Sequence, residues 1–387
     1  MEKITENLWN WASHLDVNAS LQAQRTARMP FVDRVALMPD AHVGMGATVG
    51  SVIGTQGAIM PSAVGVDIGC GMAAVRFDMD ASQLPDDLTP FLSVVEKTIP
   101  AGVGEGHLDV SKAAENWYQA NKSKFTTNLD SKQVSRLLEQ FGTLGSGNHF
   151  FELCLDENDG VWIVLHSGSR GIGNILASRH IKDAKALMEQ KGVKLEDRDL
   201  AYFEENDEGF NLYIGDMLAC QDYAAANRER MLRSSVNAFM NWLGFHPDVL
   251  QVINCHHNFT QKEVHDGKEM WITRKGAIKA GLDDLGIIPG SMGTRSYIVR
   301  GLGNEDSYCS CSHGAGRVHS RSEAKRLFST EDLREAMKGK VWLESKSKAL
   351  LDEIPASYKD IDQVMEDQMD LVEPIFTLHQ VLNFKGA

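Results

Sequence analysis

Short apolar runs alternate along the chain with segments in which apolar residues recur at helical spacing. The runs at 161–165, 270–273 and 297–299 are rich in β-branched and aromatic residues and predict buried strands. Asp360 suits the start of a helix, and Pro247 follows the end of the longest helical segment. Apolar positions three and four residues apart predict helices over 84–98, 175–191, 211–243, 321–328 and 359–382.

The order of these elements predicts the fold class. Strands and helices alternate irregularly, without an internal repeat or a long linker, which favours an α+β fold in one large domain over residues 1–387. We expect a mixed β-sheet core with surrounding helices. The segment 190–245 is mostly charged and helical, which predicts an outer layer or an insertion. A Walker A motif is absent and the glycines at 44–50 have the wrong spacing for GxGxxG, which argues against P-loop and Rossmann folds.

Composition and charge narrow the class of protein further. The 387 residues are 43% hydrophobic and 24% charged, which is typical of a globular protein and excludes a mainly disordered chain. Lys and Arg number 39 against 53 Asp and Glu, so the net charge is −14 and a nucleic acid would need a local basic patch. Six cysteines are too few for a disulfide scaffold, and the most apolar stretch, 58–75, is interrupted by Pro61 and Asp67. Without a secretory signal, these features predict a cytoplasmic protein with no membrane segment.

Five polar clusters lie in glycine-rich loops, where backbone can approach a ligand closely. One Asp, one Cys and three His from separate loops form a candidate metal-binding set, in which thiolate and imidazole favour Zn, Fe or Co and a carboxylate admits Mn. A lone His is more often a hydrogen-bonded structural residue, but several glycine-flanked clusters together favour a metal site. The clusters occupy 67–70, 147–152, 166–171, 255–258 and 312–317.

Other features admit two interpretations each. Cys309 and Cys311 are either a second pair of thiol ligands or part of the apolar core, and His265 is assigned to the surface or to packing. The glycine loops at 290–293 and 314–316 offer backbone N–H groups to a phosphate, although tight turns use the same residues. Seven cations lie beside the glycine loops, which favours a phosphate site over solvated surface charge: Arg170, Arg274, Lys275, Lys279, Arg295, Arg300 and Arg317.

Together these motifs resemble those of the RtcB family of GTP-dependent RNA-splicing ligases, over essentially the whole chain from Pro39 to Gly386. The set is highly specific, and its motifs lie at 61–72, 145–150, 165–171, 254–258, 289–293, 313–317 and 358–362. The resemblance implies an RtcB-like fold. It also implies an enzyme that joins an RNA 3′-phosphate or 2′,3′-cyclic phosphate end to a 5′-hydroxyl end, with GTP as co-substrate and two Mn²⁺ ions per chain.

The same resemblance implies roles for individual residues. His313 is the nucleophile that becomes guanylylated, and Cys70 bridges the two metal ions. The implied metal ligands are Asp67, Cys70, His149, His166 and His257. The implied GMP contacts are Asn148, His149, Phe150, Phe151, Glu152, His257, Asn258, Pro289, Gly290, Ser291, Met292, Ser296, His313, Gly314, Ala315, Gly316 and Lys385.

These residue types suit that chemistry. A neutral imidazole such as that of His313 can attack the α-phosphorus and form a phosphoramidate that passes GMP onward. Glu152 can accept hydrogen bonds from the guanine N1–H and N2–H₂ groups, and Lys385 requires the C-terminal end to fold back over the nucleotide. The ligand set suits Zn²⁺ at least as well as Mn²⁺, so Mn²⁺ comes from the resemblance alone.

The implied partner is RNA, such as cleaved tRNA. We expect it to bind in a basic groove formed by Arg170, Arg274, Lys275, Arg295, Arg300 and Arg317. An archease-like activating protein is a further implied partner, and a monomer is favoured. Two other interpretations stay open: a metal-dependent phosphohydrolase or cyclic phosphodiesterase acting on RNA ends, and a non-catalytic RNA-binding protein. His313 and the guanine-side residues separate the ligase from the hydrolase, because a hydrolase needs no covalent GMP.

Overall fold

Two β-sheets, one of six strands and one of eight, form the core of the computed structural model, which describes residues 1–386. The strands are β1 (Glu2–Thr5), β2 (Leu8–Asn10), β3 (Val32–His42), β4 (Val49–Thr55), β5 (Ala58–Ile59), β6 (Gly71–Asp80), β7 (Phe150–Leu155), β8 (Gly160–Ser167), β9 (Phe203–Glu204), β10 (Val249–His256), β11 (Asn258–His265), β12 (Lys268–Lys275), β13 (Ala277–Lys279), β14 (Leu285–Pro289), β15 (Ser296–Gly301), β16 (Ser310–Ser312), β17 (Val341–Trp342) and β18 (Val372–Lys385). The helices are α1 (Val17–Ala27), α2 (Pro61–Val64), α3 (Thr89–Thr98), α4 (Lys112–Asn121), α5 (Ser131–Glu139), α6 (Arg170–Gln190), α7 (Glu208–Leu243), α8 (Arg321–Leu327), α9 (Thr330–Ala336), α10 (Ser347–Leu350) and α11 (Ile361–Glu366). The α+β class, the mixed sheet core and the single domain are confirmed.

The eight-stranded sheet has the order β10-β6-β8-β7-β18-β15-β14, antiparallel throughout, and β17 pairs in parallel with β18. Its central strand β8 explains why the run at 161–165 is continuously apolar. Ile163 and Leu165 pack on one face of the sheet with residues of α3 and α7, whereas Trp162 and Val164 pack on the other. A strand buried on both faces needs apolar side chains at every position.

The six-stranded sheet has the order β1-β2-β3-β4-β12-β11, and only β2 and β3 run parallel. Side chains of β3 alternate between two apolar clusters. Val35 and Leu37 pack with α1, whereas Ala36 and Met38 pack with the two-stranded β13–β16 ribbon and with β14 and β15. The second face of this sheet therefore rests on one end of the eight-stranded sheet, and strand ends of both sheets come together.

Helix α7 corrects the expectation of a charged outer segment over 190–245. The helix covers 208–243, and 15 of its 36 residues are buried, including Tyr213, Tyr223 and Phe239. Its other charged residues, apart from the buried Asp216 and Arg228, are concentrated outside this face, so the average charge of the segment concealed an apolar stripe. The helix packs against β6, β8 and β10 and belongs to the core.

The expected helix over 359–382 is wrong beyond its first turns. Helix α11 follows its N-cap Asp360 and ends at Glu366, a turn covers 367–371, and β18 occupies the range from Val372 onward. Pro374 lacks the N–H group that a helix interior requires, and β18 gains hydrogen-bonded neighbours, β15 along its first half and β7 along its second half. The other predicted elements correspond to α3, α6, α7, α8, β8, β12 and β15, with boundaries shifted by no more than five residues. None of the helices within residues 1–386 has the length and apolar character needed to cross a bilayer.

Candidate functional site

Strand ends of the eight-stranded sheet carry several of the polar clusters. Cys70 precedes β6, His149 precedes β7, and His166 lies near the end of β8. His257 follows β10, which is the neighbour of β6. Because neighbouring strands run antiparallel, the start of one strand lies beside the end of the next, and these side chains converge at one edge.

Asp67, Cys70, His149, His166 and His257 form a group of potential metal ligands, here called the donor cluster. Cys70 lies at its centre. Its Sγ is 3.3 Å from His149 Nε2 and 3.2 Å from His166 Nε2. Asp67 Oδ2 lies 3.0 Å from His149 Nε2, and His166 Nε2 lies 2.8 Å from His257 Nε2. The five predicted metal-ligand residues are thus brought together as two groups that share Cys70, namely Asp67–Cys70–His149 and Cys70–His166–His257.

Hydrogen bonds on the outer side of the imidazole rings determine which nitrogen faces the cluster. His149 Nδ1 donates to Leu144 O over 2.9 Å, and His166 Nδ1 donates to Asn148 O over 3.1 Å. A neutral His166 then carries its lone pair on Nε2, which lies 2.8 Å from His257 Nε2. Burial lowers the pKa of both His166 and His257 well below the usual range, so both rings are neutral, and either the Nε2 proton of a neutral His257 or a metal ion must lie between the two nitrogen atoms. The residues therefore fit a divalent metal ion.

The two non-histidine donors differ in their protonation. Burial opposes the ionisation of Asp67, but the hydrogen bond and the charge of His149 lower the pKa of its carboxyl to about 2. Burial, and then the neighbouring Asp67, raise the pKa of the Cys70 thiol well above its usual range. A metal ion must therefore displace the thiol proton. Gly168 permits this packing, because a Cβ at that position would collide with the Asp67 carboxylate.

One buried carboxylate holds His313, which follows β16. Asp40, near the end of β3, is fully buried, and its Oδ2 accepts hydrogen bonds from His313 Nδ1 over 2.6 Å and from the His313 backbone N–H over 3.1 Å. Burial opposes the ionisation of Asp40, but the charge of His313 and this hydrogen bond lower the pKa of the carboxyl. With Nδ1 bound to Asp40, the ring lone pair lies on Nε2, which is what a nucleophilic imidazole requires.

A cavity of about 370 Å³ joins His313 to the donor cluster. Besides Asp67, Cys70 and His166, the predicted site residues that line it are Asn148, Phe150, Glu152, His257, Asn258, Pro289, Gly290, Ser291, Met292, His313, Gly314, Ala315, Gly316 and Lys385. His149 contributes through its contacts with Cys70 and Asp67.

Besides His149, two predicted contacts do not line this cavity. Side chains alternate along β7, so Phe150 and Glu152 face the cavity while Phe151 packs in the core, with its ring centroid 6.2 Å from that of Phe91. Ser296 is buried at the start of β15. Phe151 and Ser296 can therefore support the site only through the positions of their neighbours.

Glu152 and Lys385 lie on the neighbouring strands β7 and β18. Glu152 is 2% exposed and accepts a 2.7 Å hydrogen bond from Asn383 Nδ2. Burial raises the pKa of Glu152 to about 8, although the charge of Lys385 opposes the shift. Lys385 Nζ donates to Glu353 Oε2 over 2.7 Å. The charges of Lys385 and Arg317 outweigh burial and lower the pKa of Glu353 to about 2, so a charged network surrounds the C-terminal lysine.

Two buried polar residues of α7 hold the loops beside the metal-ligand residues. Arg228 is fully buried and donates to Gly69 O over 2.7 Å and to Ser167 O over 3.0 Å. Asn227 donates to Gly168 O over 3.3 Å. Burial lowers the pKa of Arg228 to about 10, which leaves it charged at neutral pH. Helix α7 therefore fixes the backbone segments next to Cys70 and His166.

Only some of the cations predicted to form a basic groove border the cavity, and that expectation needs correction. Lys275 and Arg317 line it. Arg274 is instead fully buried and bonded to Glu263, and Arg300 is exposed on β15 but does not line the cavity. A cation that follows a glycine loop in sequence can face the core when a carboxylate is available there.

A wider cleft of about 1340 Å³ adjoins the cavity and shares His42, Arg317, Arg321 and Tyr358 with it. Burial lowers the pKa of His42 to about 4, so this ring is neutral. The basic side chains and histidines that line the cleft are His14, His42, Arg317, His319, Arg321 and Lys359.

The sequence did not assign a role to three residues of this region. Asp40 lies in the motif Pro39-Asp40-Ala41-His42, which supported the resemblance but suggested no function for the carboxylate. Glu353 ends a one-turn 3₁₀ helix, and Arg321 begins α8, so neither carried a local signal.

Proteins of one family are similar to this chain over nearly its whole length. The family model described as tRNA-splicing ligase RtcB matches residues 22–386. The chain is 46% identical to RNA-splicing ligase RtcB of Escherichia coli K12, over 99% of this chain and 98% of that protein. It is 31% identical to tRNA-splicing ligase RtcB of Archaeoglobus fulgidus, over 91% of this chain and 87% of that protein.

Proposed function

The chain belongs to the RtcB family of tRNA-splicing ligases, and from this premise we propose that it joins RNA 3′-phosphate or 2′,3′-cyclic phosphate ends to 5′-hydroxyl ends through a GMP–histidine intermediate made from GTP. The observation that carries the proposal is the position of His313. Its ring is oriented by the buried Asp40, and it lines the same cavity as the donor cluster and Glu152.

The reaction would proceed through three nucleophilic substitutions, two at the α-phosphorus of GTP and one at the RNA 3′-phosphate. The Nε2 lone pair of His313 attacks the α-phosphorus of GTP, an N–P bond forms, and the P–O bond to pyrophosphate breaks. An oxygen of the RNA 3′-phosphate then attacks the same phosphorus, which breaks the N–P bond and leaves GMP on the RNA. Finally the 5′-hydroxyl oxygen attacks the RNA 3′-phosphate, loses its proton, and GMP leaves. A cyclic phosphate must first be opened by water to a 3′-phosphate.

Asp40 has a defined part in the first transfer. Its Oδ2 keeps the proton of His313 on Nδ1, so that Nε2 is free to attack, and its negative charge stabilises the positive charge that develops on the ring. Because the carboxylate also binds the backbone N–H of His313, the ring and the main chain are held together.

The donor cluster supports two metal ions per chain with Cys70 as the shared ligand. Asp67 and His149 would complete one site, and His166 and His257 the other. Bound Mn²⁺ would neutralise phosphate charge as a Lewis acid. The family resemblance favours Mn²⁺, while the thiolate and imidazole donors suit Zn²⁺ as well, so the metal requires direct measurement.

Guanine selection is the proposed role of Glu152. Its carboxylate, ionised, can accept both guanine N1–H and N2–H₂, whereas adenine offers no N1–H. Lys385 and the backbone N–H groups of 290–292 and 314–316 border the same cavity and can bind the phosphates. RNA is proposed to lie in the wider cleft, with a monomer as the active form and an archease-like protein as an activator.

The test is incubation of the protein with α-labelled GTP and Mn²⁺, followed by a denaturing gel, with ATP as the nucleotide control. We expect a labelled band that is acid-labile and base-stable, as a phosphoramidate is. His313→Ala should abolish the band with unchanged metal content, whereas His379→Ala, at an exposed position of β18, should leave it intact.

A label that persists in His313→Ala would show that the nucleophile is wrong. A folded wild-type protein that forms no adduct but hydrolyses a 2′,3′-cyclic phosphate would instead favour the metal-dependent phosphohydrolase, which could use the same donor cluster without covalent GMP.

A further inference from the structure

We propose a separate zinc site formed by His265, Glu305 and Cys309. His265 is the last residue of β11, Glu305 opens the turn at 305–307, and Cys309 immediately precedes β16. None of the three lines the cavity or the adjoining cleft. The site therefore differs from the donor cluster around Cys70.

Three ligand atoms of the types that zinc prefers converge here. His265 Nδ1 lies 2.6 Å from Glu305 Oε2, and Cys309 Sγ lies 3.5 Å from Glu305 Oε1. One ligand atom from each residue falls within 4.8 Å of the other two. Tetrahedral zinc with bonds of about 2.0–2.3 Å separates its ligand atoms by roughly 3.3–3.6 Å, so the Nδ1–Oε2 contact must open by about 0.7 Å. The other ligand atoms start within 4.8 Å of one another, so they need move only about 1 Å to reach the same spacing. The Glu305 side chain is 64% exposed and free to make that movement.

A buried ion pair orients the histidine for this role. His265 Nε2 lies 3.1 Å from Glu263 Oε2, and the fully buried Arg274 binds the same carboxylate through contacts of 2.5 and 3.2 Å. Glu263 therefore stays ionised and accepts a hydrogen bond from the Nε2–H group of His265. The lone pair of a neutral ring then lies on Nδ1, where a metal ion can bind it. A carboxylate behind a ligating imidazole is the usual outer contact of a protein zinc ligand.

The backbone before β16 turns Cys309 toward the other two ligands. Tyr308 and Cys309 both have left-handed φ angles, 53° and 48°, although neither is glycine. The Cys309 N–H donates to Asn304 O over 2.9 Å, and the Tyr308 hydroxyl donates to Asp33 over 2.7 Å, so the conformation is held at both residues. The Cys309 thiol is consequently directed back toward Glu305, four residues earlier in the chain.

Charge also favours a divalent cation. Without metal, His265 lies between two carboxylates, Glu263 and Glu305, and each contact needs a proton. On zinc binding the ion replaces the proton on Nδ1, the S–H bond of Cys309 breaks, and both protons pass to solvent. One thiolate and the Glu305 carboxylate then balance the charge of Zn²⁺, while Arg274 balances Glu263.

A bound ion would join the end of β11 to the strand that leads to His313, because β16 spans only the three residues between Cys309 and His313. The fourth position of a tetrahedral ion would be open to water on the exposed side of the site. The site is thus a metal clip that steadies β16 from outside the cavity.

The test follows alkylation of Cys309 in metal-free full-length protein, read by peptide mass spectrometry with and without saturating Zn²⁺. At free Zn²⁺ ten times the dissociation constant, alkylation of Cys309 should slow about tenfold, because about one site in eleven is vacant. Peptide mapping separates this thiol from Cys70, which binds metal in the donor cluster.

Two variants make the assignment specific. Glu305→Gln, at an exposed side chain, and His265→Ala should both abolish the protection, whereas His246→Ala, at an exposed histidine, should retain it. Zinc content should be one ion per chain lower in Cys309→Ser than in wild type. Alkylation that zinc leaves unchanged, or equal zinc content in wild type and Cys309→Ser, would overturn the site and leave the three side chains as a hydrogen-bonded cluster without metal.

Discussion

At the scale of single residues, burial and one or two partners decide which side chains of the cavity are charged. Glu152 and Asp67 are both acidic, but burial raises the pKa of Glu152 to about 8, whereas His149 lowers that of Asp67 to about 2. The difference lies in the partner, since Asn383 donates a neutral hydrogen bond to Glu152 and His149 offers an ionisable ring to Asp67. The Asp67 carboxylate is thus suited to a metal ion, whereas the Glu152 carboxyl is suited to the uncharged hydrogen-bonding edge of a base.

The raised pKa of Glu152 predicts how guanine binding depends on pH. A carboxyl that must be ionised to accept N1–H and N2–H₂ has to lose its proton below pH 8, so GMP affinity for the metal-free protein should rise by up to tenfold per pH unit toward about pH 8 and then level off. Titration calorimetry from pH 6 to 8.5 measures this. Glu152→Gln should bind GMP more weakly and without the rise, and AMP should show no rise with either protein. A flat wild-type profile would remove Glu152 from guanine recognition.

The sequence predicted most residues of the site because they share glycine-rich loops. Those loops bring backbone groups and ligand side chains close together. Residues of these motifs, such as Cys70 and His313, therefore line the cavity. Asp40 and Glu353 act on the site from a strand end and a one-turn 3₁₀ helix, where only the tertiary fold reveals their partners. Phe151 was taken with its motif, but strand alternation turns it to the core.

At the scale of elements, α7 and β18 show how tertiary contacts override local pattern. The helical period of α7 was predicted, but its buried face includes the polar Asn227 and Arg228, which resemble surface residues in sequence. β18 has apolar spacing that also fits a helix, and only its two neighbouring strands and Pro374 decide the outcome. Strand β8 was predicted correctly because burial on both faces leaves one pattern, a continuous apolar run.

Arg228 should be essential for stability and for the donor cluster. Arg228→Met removes the donor to two buried carbonyl oxygens, of Gly69 and Ser167, and should destabilise the protein by about 3 kcal/mol while weakening metal binding. Chemical denaturation and metal content measure the two effects. Arg233→Met on the exposed face of the same helix is the matched control and should behave as wild type. Equal effects of the two variants would mean that α7 holds the loops by packing alone.

At the scale of the whole molecule, the cleft beside the cavity holds a few cations on an acidic body. The net charge of −14 disfavours general binding of polyanions, so RNA affinity must come from a local cluster of cations. The cleft is lined by Arg317, Arg321 and Lys359 together with Asp16, Asp360 and Asp367, and the two arginines also border the cavity. The basic groove predicted from the sequence included Arg317, but it also included Arg274 and Arg300, because burial and strand register were not visible in the sequence. Acidic charge elsewhere would repel the RNA backbone and confine it to the cleft.

This arrangement predicts which cation governs the salt dependence of RNA binding. Arg321→Ala should weaken binding of a single-stranded RNA with a 3′-phosphate, measured without GTP, and should reduce the slope of log affinity against log salt concentration by about 0.7, as expected for one lost phosphate contact. Arg300→Ala removes the same charge from an exposed position outside the cleft and should leave the slope unchanged. If both variants reduce the slope equally, net charge alone controls binding. Because Arg321 is 55% exposed and pairs only loosely with Asp352 at 3.7 Å, its loss tests the phosphate contact with little disturbance of the fold.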